Sequence, residues 1–174
     1  MRTPRKLKRS NAGRELDPLD SRAACAAALD ALSRRDHSSE ELRGKLLGKG
    51  YDAEVVAELM HRLRAEKVLD DARYLENFVA YHAGRGQGPR RVREKLRNLG
   101  LSGADIDATL AAYPDWLTQL KRAREKKFGT SLPTNYADRQ RQAQFLAYRG
   151  FSGAQIRSAL GLDTDLDADT KDEI

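Results

Sequence analysis

Cysteine is almost missing from this chain: Cys25 is the only one in 174 residues. An internal disulfide is therefore excluded, and the surrounding RAACAAALDAL reads as a helical stretch in which Cys25 packs as a small apolar residue. No run of about 18 apolar residues occurs, so no segment is long enough to span a bilayer. The start, MRTPRKLKRSNAGRELD, has basic residues but no apolar stretch behind them and is not expected to act as a secretory signal. The cytoplasm is the expected compartment. No segment alternates apolar and polar residues as a half-buried strand would. Hydrophobic residues reach only 40%, many of them alanine, against 33% charged, which suits several thin cores better than one thick one.

Arrangements for chemistry are missing too. His37, His61 and His82 stand apart, without metal-ligand spacing to each other or to the cysteine, and read as solvated helix residues. DTDLDAD (163–169) imitates the start of a calcium loop, but Ala168 stands where glycine is needed and Ile174 where glutamate is needed. GRGQG (84–88) lacks both the preceding strand and the lysine-serine/threonine ending of a phosphate loop; its glycines read as a helix stop and the next cap. No catalytic residue, metal or cofactor is expected, and the chain reads as a binding protein.

What the chain has is charge, unevenly spread. The formal net charge is +6 and the pI near 9.5. Residues 1–14 hold six basic residues and no acid, residues 163–174 hold six acids against Lys171, and the body between them carries +5. The tails read as disordered solubilising ends, a basic arm over 1–17 and an acidic tail over 163–174. A basic body between them points to a polyanion or an acidic protein surface as partner.

It also has an internal period. Glycine stands at 50, 100 and 150, and the flanking residues agree in phase through ELRGKLLGKGYDAEVVAELM (41–60), VREKLRNLGLSGADIDATL (92–110) and QAQFLAYRGFSGAQIRSAL (142–160). Leu46, Leu96 and Leu146 coincide, as do Val56, Ile106 and Ile156. A period of about fifty residues means a stacked helical array. The fold class is all-α: three tandem three-helix repeats over 18–67, 68–113 and 114–162, in an elongated, curved array. Within each repeat the second helix starts at Ser38, Gly88 or Asp138, all N-cap types, with Pro89 at a first helical position. It ends at Gly50, Gly100 or Gly150, where a left-handed residue closes the turn. Asp52, Ser102 and Ser152 cap the third helix, and Ser38 with Glu41 and Ser152 with Gln155 form capping boxes. The first helices fall at roughly 20–34, 71–84 and 115–129, the last with an apolar stripe of Leu117, Leu120 and Phe128. GTSLPTN (129–135) is the longest internal loop.

Basic residues mark the candidate contact face. Behind the buried stripe of Val92, Leu96 and Leu99, Arg90, Arg93 and Arg97 share another helix face, extended by Arg91 and Lys95. Lys121, Arg122, Arg124, Lys126 and Lys127 crowd the next first helix against a single Glu125, and Arg139, Arg141 and Arg149 follow. If repeats two and three stack, these merge into one surface that attracts phosphate without reading sequence. Sequence-specific reading by a helix-turn-helix fits worse, because Glu54, Asp105 and Asp107 open the helices that would meet DNA.

Four motifs in order then resemble the RecX family of recombination regulators: ALDALSRRDHSSEELRGKLLGKGY (28–51), VLDDARYLENFV (68–79), GQGPRRVREKLRNLGL (86–101) and FLAYRGFSGAQIRSAL (145–160). The resemblance implies a partner in RecA and the RecA-DNA filament, with inhibition of RecA ATPase, strand exchange and co-protease activity in recombinational repair and the SOS response. It also implies no catalysis of the chain's own. The competing reading is a general helical DNA-binding or scaffold module whose basic face acts without RecA. The basic arm and acidic tail lie outside the resemblance.

Overall fold

The helix boundaries follow the local signals closely. The structure, a computed structural model, describes residues 16–162; the acidic tail, its DTDLDAD motif and nearly all of the basic arm lie outside them. Among the described residues there are nine helices and no strand: α1 (Ser21–Arg34), α2 (Ser39–Gly48), α3 (Ala53–Ala65), α4 (Asp71–Gly84), α5 (Pro89–Arg97), α6 (Gly103–Ala112), α7 (Trp116–Phe128), α8 (Tyr136–Tyr148) and α9 (Gly153–Leu160). None is long and apolar enough to cross a membrane. Each repeat packs its three helices on one another, and α4 against α7 joins repeat two to repeat three.

Caps explain the starts. Ser38 Oγ accepts the Glu41 N–H at 3.2 Å, and Asp52 accepts from the N–H groups of Glu54 and Val55. Ser152 and Gln155 form the full reciprocal box, at 3.2 and 2.9 Å. The box expected at Ser38 is only half made, because the Glu41 carboxylate turns away to take a two-pronged pair from Arg35. Those hydrogen bonds hold Glu41 below the ordinary carboxylate range. Ser102 occupies its N-cap position without a side-chain bond. In repeat three the second helix starts earlier than Asp138: Asn135 is the cap and accepts the Asp138 N–H at 2.8 Å, giving α8 an extra turn over α2 and α5.

The phased glycines close the second helices in the left-handed region, with φ of 97° at Gly50, 74° at Gly100 and 92° at Gly150. The phased leucines Leu46, Leu96 and Leu146 are wholly buried, with Leu42, Val56 and Ile106 also in the core. Packing changes two sequence expectations. Trp116, donating its indole N–H to the Leu110 carbonyl at 2.9 Å, takes the core position at the head of α7, and Leu117 is left 39% exposed. His37 is buried rather than solvated, its Nδ1 3.0 Å from the Arg35 carbonyl.

Core packing divides the three repeats unevenly. Repeat one has its own cluster, from Ala24 through Val56 and Leu63 to Leu69. Repeats two and three share a single one, which runs from Leu75 through Leu96, Ile106 and Leu120 to Phe151 and Leu160. Backbone bonds stitch these two together: the Gly88 N–H donates to the Arg149 carbonyl at 2.8 Å and the Arg90 N–H to the Gly150 carbonyl at 3.1 Å. Apart from Leu69, which packs into the first cluster from the start of repeat two, repeat one meets repeat two through polar contacts. The Ser39 N–H donates to Asp71 at 2.7 Å and Asn77 to Asp36 at 3.2 Å.

Candidate polyanion interface

Where repeats two and three meet, the chain builds a basic groove of about 330 Å³ from segments distant in sequence. The C-terminal end of α4 supplies Gly84, Arg85 and Gly86; α7 supplies Gln119, Arg122, Ala123, Lys126 and Lys127; α8 supplies Phe145 and Arg149. Five of these carry positive charge and none is acidic. The groove forms because α7 buries Trp116 and Leu120 while Arg122 and Lys126, one turn apart, point to the side facing the α4–α5 turn. Arg149 fixes its floor. Its guanidinium lies 5.0 Å from the Phe145 ring centroid, and Nη1 donates to the Arg85 carbonyl at 3.0 Å. Phe145 in turn meets Phe128 edge to face at 5.3 Å.

The basic residues singled out from the sequence therefore separate. Arg122, Lys126 and Lys127 line the groove. Arg90, Arg93 and Arg97 line a second depression on α5 together with Glu94 and Asn98. That face is partly neutralised, since Arg93 Nε also lies 2.8 Å from the Asp107 carboxylate. Arg91 sits at the junction, its guanidinium 5.2 Å from the ring of Tyr148 and its Nη1 donating to the Tyr148 carbonyl at 3.3 Å. Lys121 is exposed on α7 but lines neither depression. Arg139 reaches back to the Pro133 carbonyl at 3.4 Å, and Arg141 pairs with Asp138 at 2.9 Å and stacks 5.7 Å over Phe128.

Arg124 departs from its expected place on the contact face. It is 3% exposed and donates to the Thr130 and Ser131 carbonyls, both at 2.9 Å, and to Gln142 Oε1 at 3.3 Å. It is an internal brace for the loop over 129–135, because carbonyls left unpaired after α7 need a donor with several N–H groups. Arg85 is the groove residue the sequence reading passed over. It stands just past the α4 C-terminus between glycines, in a stretch that reads as a turn, and no periodic pattern marks it.

His82 borders the same region. Burial, aided by the positive charges of Lys95 and Arg85, holds its imidazole below the ordinary histidine value. Lys95 Nζ lies 3.4 Å from His82 Nδ1. Among the described residues no group of three histidine, cysteine or acidic side chains is placed to hold a metal ion. Cys25 is half-buried, with Arg62 Nη2 donating to its Sγ at 3.1 Å.

Comparison with known proteins accounts for all three repeats. The three-helix domains of RecX match in order: the first at residues 24–63, the second at 70–110, the third at 115–160. The regulatory protein RecX of Ectopseudomonas mendocina (strain ymp) is 44% identical over 127 residues, covering 72% of this chain and 85% of its own. That of Halorhodospira halophila is 41% identical over 140 residues, covering 80% and 87%. In fold, the chain superposes on the crystal structure of RecX from Lactobacillus salivarius with a TM-score of 0.71 at 21% identity, over 83% of this chain and 97% of that one. With its three domains in the family's order and relatives above 40% identity over most of its length, this chain belongs to the RecX family of regulatory proteins.

Proposed function

We propose that this protein binds RecA and its nucleoprotein filament and inhibits RecA's ATP hydrolysis, strand exchange and co-protease activity, acting in the cytoplasm by binding rather than by catalysis. The observation that carries the reading is the match of all three repeats, in order, to a family of regulatory proteins. The acid-free groove supports it by offering a place for contact: Arg85, Arg122, Lys126 and Lys127 converge where a filament's phosphates or an acidic protein edge would be attracted. Arg122, Lys126 and Lys127 are therefore the preferred contact residues, ahead of the partly neutralised α5 face.

The test is RecA's ATPase on single-stranded DNA, with the protein added below RecA's concentration. Wild type suppresses the rate. The quadruple variant Arg85→Ala, Arg122→Ala, Lys126→Ala, Lys127→Ala loses suppression while keeping its helical circular dichroism. Its filament affinity also depends less on salt, by roughly one unit of log–log slope for each phosphate contact removed. Suppression by the variant at wild-type concentrations would refute the groove as contact face and turn attention to repeat one. No suppression by wild type would refute the RecA reading itself.

A further inference from the structure

The basic groove has no acid among its lining residues, yet the chain carries a matching set of acids elsewhere. Residues 163–174 hold Asp163, Asp165, Asp167, Asp169, Asp172 and Glu173 against Lys171, a net charge of −5. The groove opposes them with Arg85, Arg122, Lys126, Lys127 and Arg149, a net charge of +5. The acids are also patterned. Successive residues of an extended chain point to opposite sides, so the alternation in DTDLDAD (163–169) gathers four aspartates on one edge, about 6.6 Å apart. Arg122 and Lys126, one turn apart on α7, repeat at about 6 Å. The fold fixes where this segment leaves. α9 ends at Gly161, whose φ of 72° closes the helix, and the Leu162 N–H donates to the Arg157 carbonyl at 3.0 Å. Leu162 packs on the shared core of repeats two and three. Gly161 lies beside the Leu132 side chain, because a Cβ placed on it would stand 3.8 Å from Leu132 Cδ1. Leu132 belongs to the loop that Arg124 braces, five residues beyond Lys127. Five residues span at most about 18 Å, whereas the twelve from Asp163 to Ile174 span up to about 40 Å. The groove is therefore within reach of the exit point.

We propose that residues 163–169 occupy the groove of their own molecule, so that the acidic tail competes with the protein's partner for Arg122, Lys126 and Lys127. Tethering makes a weak contact effective, since a segment on a short link reaches an effective concentration of about millimolar. The depression on α5 suits the tail less, because Glu94 lines it and Asp107 already lies against Arg93. The consequence is autoinhibition. A groove filled nine-tenths of the time leaves about one molecule in ten open and weakens apparent affinity for a partner about tenfold. The tail contact itself needs no RecA; only its regulatory consequence rests on the groove being the contact face, as proposed above.

Carbodiimide, which condenses a carboxylate and an amine in contact into an amide, tests the contact on the full chain. Mass spectrometry should find amides from the aspartates of 163–169 to Lys126 or Lys127 within single molecules, in a yield that dilution leaves unchanged. A labelled peptide with the sequence of residues 163–174 is the second probe, read by fluorescence anisotropy. The full chain carrying Asp163→Asn, Asp165→Asn, Asp167→Asn and Asp169→Asn binds it about tenfold more tightly than wild type, whose groove is already filled. Adding Arg122→Ala, Lys126→Ala and Lys127→Ala removes that gain, with helical circular dichroism intact. Amides only to Lys6 or Lys8 of the basic arm, amides only between two molecules, or equal peptide affinity for wild type and the asparagine variant would overturn the proposal. RecA's ATPase then separates the two readings. The asparagine variant suppresses it at a concentration at least about threefold below that of wild type. Equal concentrations for the two, with the groove variant inactive, would overturn the tail as competitor. Failure of both to suppress, with the amides and the peptide binding as expected, would refute the RecA reading and leave the tail contact standing.

Discussion

Gly150→Ala should be far more damaging than Gly100→Ala, although the two glycines occupy the same phase of the repeat. Both have positive φ, 92° and 74°, and alanine in the left-handed region costs about 1–2 kcal/mol. At Gly100 that is the whole expected cost, because the nearest atom to an added Cβ is the flexible Glu40 side chain at 3.6 Å. At Gly150 the new Cβ would stand 2.6 Å from the Arg91 nitrogen and 2.7 Å from Arg91 Cβ, so α5 and α8 must separate. Separation weakens the Gly88–Arg149 and Arg90–Gly150 backbone bonds, each worth about 0.5–1.5 kcal/mol net. Strain and lost bonds together give about 2–5 kcal/mol. Gly88→Ala isolates the second part. Gly88 has an ordinary φ of −82°, but its Cβ would run into the Gly150 carbonyl, so about 1–3 kcal/mol is expected with no strain. Urea denaturation with an unchanged slope is the assay. Equal losses for Gly150→Ala and Gly100→Ala, within about 0.5 kcal/mol, would refute the view that this turn is where repeats two and three are locked.

Leu96→Ala, at a wholly buried site in the shared core, should cost about 2–5 kcal/mol in denaturant; a loss below about 0.5 kcal/mol would contradict the packing. Arg124→Ala should destabilise by about 2–4 kcal/mol, since it strands two carbonyls and a glutamine oxygen, whereas Arg122→Ala should stay within about 0.5 kcal/mol. Equal thermal shifts for the two would argue against the brace. His82 has a folded pKa below its ordinary value of 6.5, so the fold favours the neutral ring. Its stabilising share is complete above that ordinary value and declines as pH falls from there toward the depressed folded pKa. His82→Gln should flatten the urea midpoint between about pH 7.5 and 5.5; an unchanged pH slope would rule His82 out as the source.

The sequence alone determined the repeat, the helices and the family. Caps and helix stops act over three or four residues of backbone, so Ser152 with Gln155, Asp52 and the glycines at 50, 100 and 150 could be read directly, and the phased leucines followed from helix period. Even here a competing partner could intervene, as Arg35 does by drawing Glu41 out of its capping box. What only the tertiary structure decided depends on neighbours far along the chain. A helical residue turns about 100° from the next, so whether Trp116 or Leu117 faces the core is set by what packs above α7. Arg124 reads as surface charge until the 129–135 loop folds back and offers its carbonyls. Repeat one keeps its own core while two and three merge into one, a difference that three similar sequence units do not reveal. The basic groove follows from that merger, because only the close approach of the α4–α5 turn to α7 and α8 brings Arg85 and Arg149 beside Arg122 and Lys126.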